Sequence, residues 1–120
     1  MIEKHYYHDI FIVEGKRGAY PFFLRDMNHP HPGVFLLADD FDDYTPHIVY
    51  LENSESVSGS VEKIMSNPQI CDLLLNCFLG VALIQLPDDR VKMFCDVWEN
   101  LGYIPKCNEL LSYFSNSLSP

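Results

Sequence analysis

Apolar positions are grouped in two different ways along this chain, and the change comes near its middle. Tyr6 to Val13 are aromatic and β-branched with partial alternation, and Glu14-Gly15-Lys16-Arg17-Gly18 follows as a turn signal. Ala19 to Leu24 resume an aromatic, apolar run, so the pair predicts a β-hairpin with Pro21 at an edge or a bulge. Asp26 to Gly33 reads as a loop, because Pro30 and Pro32 supply no backbone donors. Val34 to Ala38 predicts a short buried strand, the aspartates after it a loop, and His47 to Leu51 a further strand. Asn53 to Ser60 is rich in serine and reads as a flexible connection.

From there the period lengthens. Ser60 is placed to cap a short turn through Met65, and Asn67-Pro68 combines a capping side chain with proline at the first helical position. Ile70, Leu73, Leu74, Cys77, Phe78 and Val81 recur at helical spacing. Gly80 either ends that helix or lies inside one running to Leu86, and a strand over 81–86 is the competing reading. Pro87-Asp88-Asp89 opens a further helix with its acids toward the positive end of the dipole. Its apolar stripe is Val91, Phe94, Cys95, Trp98 and Leu101, and Gly102 is its stop. Trp98 on that stripe reads as core. Pro105 opens a last helix carrying Leu110, Leu111 and Phe114.

Strands followed by helices predict an α+β fold, with an N-terminal antiparallel sheet packed against C-terminal helices on one face. A mixed sheet is the alternative if the helical half returns a strand. At 120 residues, residues 1–120 are read as a single domain, since halves would be too small to bury a core. No apolar run reaches membrane-spanning length, and the start of the chain lacks the apolar core of a signal peptide. Cys71, Cys77, Cys95 and Cys107 form no C-x-x-C pair and fall in segments that read as helical, among apolar neighbours, as free thiols buried or half-buried in a reducing compartment would. A cytoplasmic protein is the expectation.

Charge changes the picture further. The formal net charge is −9, and between His31 and Glu62 stand seven carboxylates without one lysine or arginine. The segments on either side are close to balance. Four of the seven lie in Asp39-Asp40-Phe41-Asp42-Asp43, with Tyr44 next. Such a field draws cationic partners and repels nucleic acid and anionic membrane. No basic stripe for nucleic acid is present. An acidic stretch interleaved with aromatics suits a protein interface, so Asp39, Asp40, Phe41, Asp42, Asp43 and Tyr44 are the candidate partner-binding residues.

Other chemistry has weaker support. His29, His31, Asp39, Asp40, Asp42, Asp43 and His47 include ligand types for zinc, manganese or iron. Their spacing matches neither H-E-x-x-H nor the D-x-[DN]-x-[DN]-G calcium loop, and a solvated acidic loop accounts for them equally. No metal or cofactor is therefore assigned. Ser54, Ser56, Ser58 and Ser60 are not in a G-x-S-x-G elbow, and no catalytic motif marks the chain as an enzyme. Gly15-Lys16-Arg17-Gly18 offers turn amides and cations to a phosphate but lacks the P-loop spacing, so a charged hairpin turn is the simpler account.

In size, acidity and lack of motifs the whole chain resembles the immunity proteins of bacterial polymorphic-toxin and contact-dependent inhibition systems. That resemblance implies a small inhibitor that binds and neutralises a basic toxin domain, often a nuclease. Mimicry of nucleic acid is an alternative, but it requires charge spread over an extended surface, and here it is local. A small His/Asp metal protein or enzyme is the other alternative.

Overall fold

The computed structural model describes residues 10–42, 45–82, 84 and 86–118, with backbone alone at 41, 42 and 114–118. Five strands and four helices follow in the order β1 (Ile10–Glu14), β2 (Ala19–Arg25), β3 (Gly33–Asp42), β4 (Thr45–Ser54), α1 (Val57–Met65), α2 (Pro68–Leu74), β5 (Phe78–Ala82), α3 (Pro87–Leu101) and α4 (Lys106–Leu118). The strands form one antiparallel sheet in the order β1-β2-β5-β3-β4. The α+β class is as expected. The helical half does return a strand, and it enters the middle of the sheet between β2 and β3. Antiparallel pairing on both sides of β5 means the sheet is not mixed.

The helices do not share one face. Phe35, Leu37, Leu79 and Val81 point toward a core closed by Val57, Val61 and Ile64 of α1, Ile70 and Leu74 of α2, and Cys107 of α4. Val34, Leu36, Ala38 and Ala82 point the other way, toward Val13 and Phe22 and toward Met93 and Val97 of α3. The physical reason is visible in the sequence. Val34-Phe-Leu-Leu-Ala38 is a continuous apolar run rather than an alternating one, and a strand apolar on both faces must be covered on both. At β5 the small residues Gly80 and Ala82 leave room on the α3 side, where Phe11 and Leu36 approach Gly80.

Several boundaries moved for identifiable reasons. Asn53 and Ser54 belong to β4, and the Ser56 side chain caps α1 by accepting from Gly59 N–H, so the serine-rich stretch is neither flexible linker nor capped at Ser60. Its hydroxyls instead form a chain: Tyr50 donates to Glu52, Ser60 donates to Glu52 at 2.7 Å, and the Ser54 and Ser60 hydroxyls lie 2.6 Å apart. Asn67 does cap α2 and Pro68 does open it, but the helix ends at Leu74 and the chain passes into β5, so Cys77 and Phe78 are not helical.

On α3 the buried face is one position away from the expected stripe. Arg90, Met93, Asp96 and Val97 are buried, Phe94, Trp98 and Leu101 are half-buried, and Val91 and Cys95 are exposed. Trp98 packs against the α3-side core with its ring stacked on Phe94 at 5.5 Å, as expected of a core residue. The shift comes from two buried charged groups that an apolar stripe does not register. Asp96 accepts hydrogen bonds from Arg17 N–H, Gly18 N–H and the Tyr20 hydroxyl, and Lys16 N–H donates to its carbonyl. The β1–β2 turn is a hairpin turn, as expected, and its amides form an anion nest for the protein's own carboxylate. These bonds hold Asp96 below the usual aspartate range, with the Tyr20 hydroxyl the largest contribution. Arg90 reaches the end of β4, donating to Ser54 carbonyl at 2.7 Å and to Glu55 at 2.8 Å.

Candidate functional site

The acidic stretch is carried by the β3–β4 hairpin. Asp39 to Asp42 are strand, not loop, because Asp40, Phe41 and Asp42 remain paired with His47, Pro46 and Thr45. Backbone pairing overrides the poor strand propensity of aspartate where the side chain stays in water. Asp39 and Asp40 are exposed. The side chains of Phe41 and Asp42, and all of Asp43 and Tyr44, lie outside the described residues.

Two irregularities set the geometry. Leu37 faces Tyr50 while Ala38 faces Ile48, leaving Val49 as an extra residue on β4. Ala38 faces Ile48 while Asp40 faces His47, leaving Asp39 as an extra residue on β3. Bulges of this kind sharpen the local twist and re-aim side chains. Val49 and Tyr50 accordingly both join the core beneath α1, α2 and α4. Asp39 lies against His47, with Oδ1 2.7 Å from Nδ1. An ionised carboxylate only accepts, so Nδ1 carries the shared proton and donates it. The pair is 44% and 58% exposed, so water screens it heavily.

Tyr103 completes the group. Gly102 ends α3 in the left-handed region at φ 70°, which glycine adopts without penalty, and the chain turns toward β4. The Tyr103 ring stacks on His47 at 5.9 Å. Its hydroxyl accepts from Ile48 N–H at 3.2 Å and donates to Ile48 carbonyl at 3.1 Å. Farther along the same edge the Asn108 side chain accepts from Leu51 N–H and donates to Leu51 carbonyl, both at 2.9 Å. Two side chains thus take the outward backbone groups that would otherwise pair with another strand. Burial raises the Tyr103 phenol, keeping it protonated and able to donate.

The histidine and aspartate candidates are not brought together. His29 and His31 precede β3, with rings 5.1 Å apart and carbonyls accepting from Ser58 and Val57 N–H at the start of α1. From Gly33 to Asp39 the strand advances about 20 Å at ~3.3 Å per residue, placing those histidines at the opposite end from Asp39 and His47. Among the described residues no group of three or more His, Cys, Asp or Glu is placed to hold a metal ion. The cysteines are free: Cys107 is buried, Cys71 and Cys77 half-buried, and Cys95 exposed, contrary to expectation for the last. Burial pushes the Cys77 thiol up to about 11, which leaves it protonated and a poor nucleophile near neutrality.

Nothing in the sequence marks Tyr103, which follows a helix stop and belongs to no pattern. Beneath it lies a cavity of about 200 Å³ between the two edge strands, walled by Ile12, Pro46 and Leu101 and by the polar residues Glu14, Asn100 and Tyr103. Asn100 donates from Nδ2 to Glu14 carbonyl at 3.1 Å. No helix among the described residues is long and apolar enough to cross a membrane. Comparison with known protein families, with characterised proteins and with solved structures yields no match to this chain.

Proposed function

We propose that this chain is a small acidic interaction protein of the cytoplasm that binds and neutralises a basic protein partner, such as a toxin nuclease domain. The observation that carries the reading is the hairpin β3–β4, which has no lysine or arginine and holds Asp39 and Asp40 exposed toward one end. Carboxylates so placed pair with the lysines and arginines that a nuclease uses to hold phosphate, and charge-assisted bonds of this kind are the stronger ones. The field also raises the rate of encounter with a cationic surface. In the sequence Asp42 and Asp43 extend the charge, and Phe41 and Tyr44 are the candidate apolar anchors beside it. The capped edge of β4 favours recognition through side chains over strand addition.

The test is direct. A basic domain encoded next to this protein is expressed and its binding measured across a range of salt. Tight binding that weakens with salt is expected, and replacing Asp39, Asp40, Asp42 and Asp43 together by asparagine reduces it by at least about a hundredfold, at 1 kcal/mol or so per pair. Binding unchanged by the fourfold replacement would remove the hairpin as the contact surface.

A further inference from the structure

We infer that the cavity between β1 and β4 is a receptacle for an arginine side chain of the basic partner. The inference rests on reading the acidic hairpin as the partner-facing surface, and it names the place where one partner residue is anchored.

The size of the cavity restricts its occupant. At about 200 Å³ it is smaller than the roughly 300–1,000 Å³ of sites for drug-sized ligands, and it fits a single side chain. Its walls divide by chemistry. Ile12, Pro46 and Leu101 offer apolar surface for a methylene stem. The lining also includes Glu14, Asn100 and Tyr103, residue types that can meet a cationic head with a carboxylate, an amide and an aromatic ring. Its lining residues include no lysine or arginine. The nearby Arg17 is already engaged by Asp96 and Glu99 at the β1–β2 turn. Among the described residues no cation is paired with the Glu14 carboxylate, and Asn100 spends its Nδ2 on Glu14 carbonyl, leaving Oδ1 as an acceptor. A planar guanidinium with several donors satisfies a carboxylate and a neighbouring amide oxygen together, which an ammonium does less well.

Position supplies the link to the surface. Tyr103 belongs to the cavity lining, and its ring also stacks on His47, which is bonded to Asp39. A partner pressed against the carboxylates of β3 therefore has the cavity within one side chain's reach. An apolar slot beside a rim of opposite charge is the arrangement in which an interface arginine contributes most.

The experiment uses the full chain, labelled with ¹⁵N, titrated at physiological ionic strength with acetyl-Gly-Arg-Gly-amide and with its lysine, citrulline and norleucine counterparts. The arginine peptide is expected to shift the amides of Ile12, Val13, Glu14, Leu101 and Tyr103, with the lysine peptide weaker and the neutral peptides at least about fivefold weaker, the value of one partly screened charge pair. Glu14→Gln is expected to weaken the arginine peptide about fivefold, and Ile12→Ser to weaken it as well. Both positions are exposed, so the variants retain the fold. The inference is overturned if the neutral peptides bind equally, if shifts are confined to Asp39 and Asp40, or if no peptide shifts the cavity amides. With the protein partner in hand the two claims separate. Loss of binding on replacing the aspartates, without any effect of Glu14→Gln, leaves the hairpin surface standing and removes the cavity.

Discussion

Arg90 is the largest fully buried side chain among the described residues, at 1% exposure, and replacing it separates packing from charge. Its guanidinium makes two bonds. One goes to the carbonyl of buried Ser54 at 2.7 Å, and one to Glu55, which is 85% exposed. Its Nε is buried with no partner among the described residues. Arg90→Met keeps an unbranched apolar stem and removes the charge. The Ser54 carbonyl then loses a donor, at about 1–3 kcal/mol for a buried acceptor. Glu55 returns to water with an effect below about 1 kcal/mol, as for any exposed pair. Against these losses stands relief of the guanidinium's own desolvation and of the orphaned Nε, worth one to a few kcal/mol in buried pairs replaced by apolar groups. The expected net loss is about 1 kcal/mol. Arg90→Ala removes the stem as well and leaves a cavity against the sheet, for an expected loss of about 3–4 kcal/mol. Urea unfolding followed by circular dichroism reads the difference. At a slope of about 2 kcal/mol per molar, the alanine variant should unfold roughly 1 M earlier than the methionine variant. Glu55→Gln should stay within about 0.5 kcal/mol of the parent. Equal losses for methionine and alanine would refute the reasoning, because they would place the stabilisation in the guanidinium's bonds rather than in the stem.

Three further outcomes are expected. Asp96 has its carboxyl depressed by the Tyr20 hydroxyl and the turn amides, so its stabilisation is present above the ordinary value of about 3.9 and is lost as pH falls through and below it. Asp96→Asn should therefore lower the melting temperature at pH 7, with the gap from the parent closing below about pH 4; a gap independent of pH would show that the carboxylate's charge is not involved. Gly80→Ala places a methyl 2.5 Å from Phe11 Cζ and 3.4 Å from Leu36 Cδ1, costing about 1–3 kcal/mol by overpacking, and Phe11→Leu in the same chain should recover part of it in the same unfolding assay. Tyr103→Phe combined with Asn108→Leu frees the Ile48 and Leu51 backbone groups on β4; concentration-dependent association by sedimentation is expected, and a monodisperse variant would show that these side chains do not guard the edge.

Local signals in the chain account for much of the fold. Asn67-Pro68 and Pro87-Asp88-Asp89 start helices where expected, Gly102 stops α3, and the turn at Gly15–Gly18 joins β1 to β2, because each is decided by dihedral preference or capping within a few residues. The aspartates of β3 and the serines from the end of β4 into α1 read as loop or linker in the sequence for one shared reason. Their composition favours loops, but strand pairing with β4 and the cap and hydroxyl chain at Ser54, Ser56 and Ser60 satisfy their polar groups in ordered structure.

The amino-acid sequence by itself determined the α+β class, the caps and stops of the helices, and the concentration of negative charge between His31 and Glu62. Those properties depend on residue type and on neighbours a few positions away. The tertiary structure alone decided that β5 lies at the centre of the sheet, that α3 covers the face opposite the other helices, and that Arg90 and Asp96 are buried. It alone placed His29 and His31 at the far end of β3 from Asp39, and set Tyr103 beside both His47 and the β1–β4 cavity. Each of these is a contact between residues distant in the chain, settled by which apolar faces and backbone edges must be covered and by which donors remain to satisfy a buried charge.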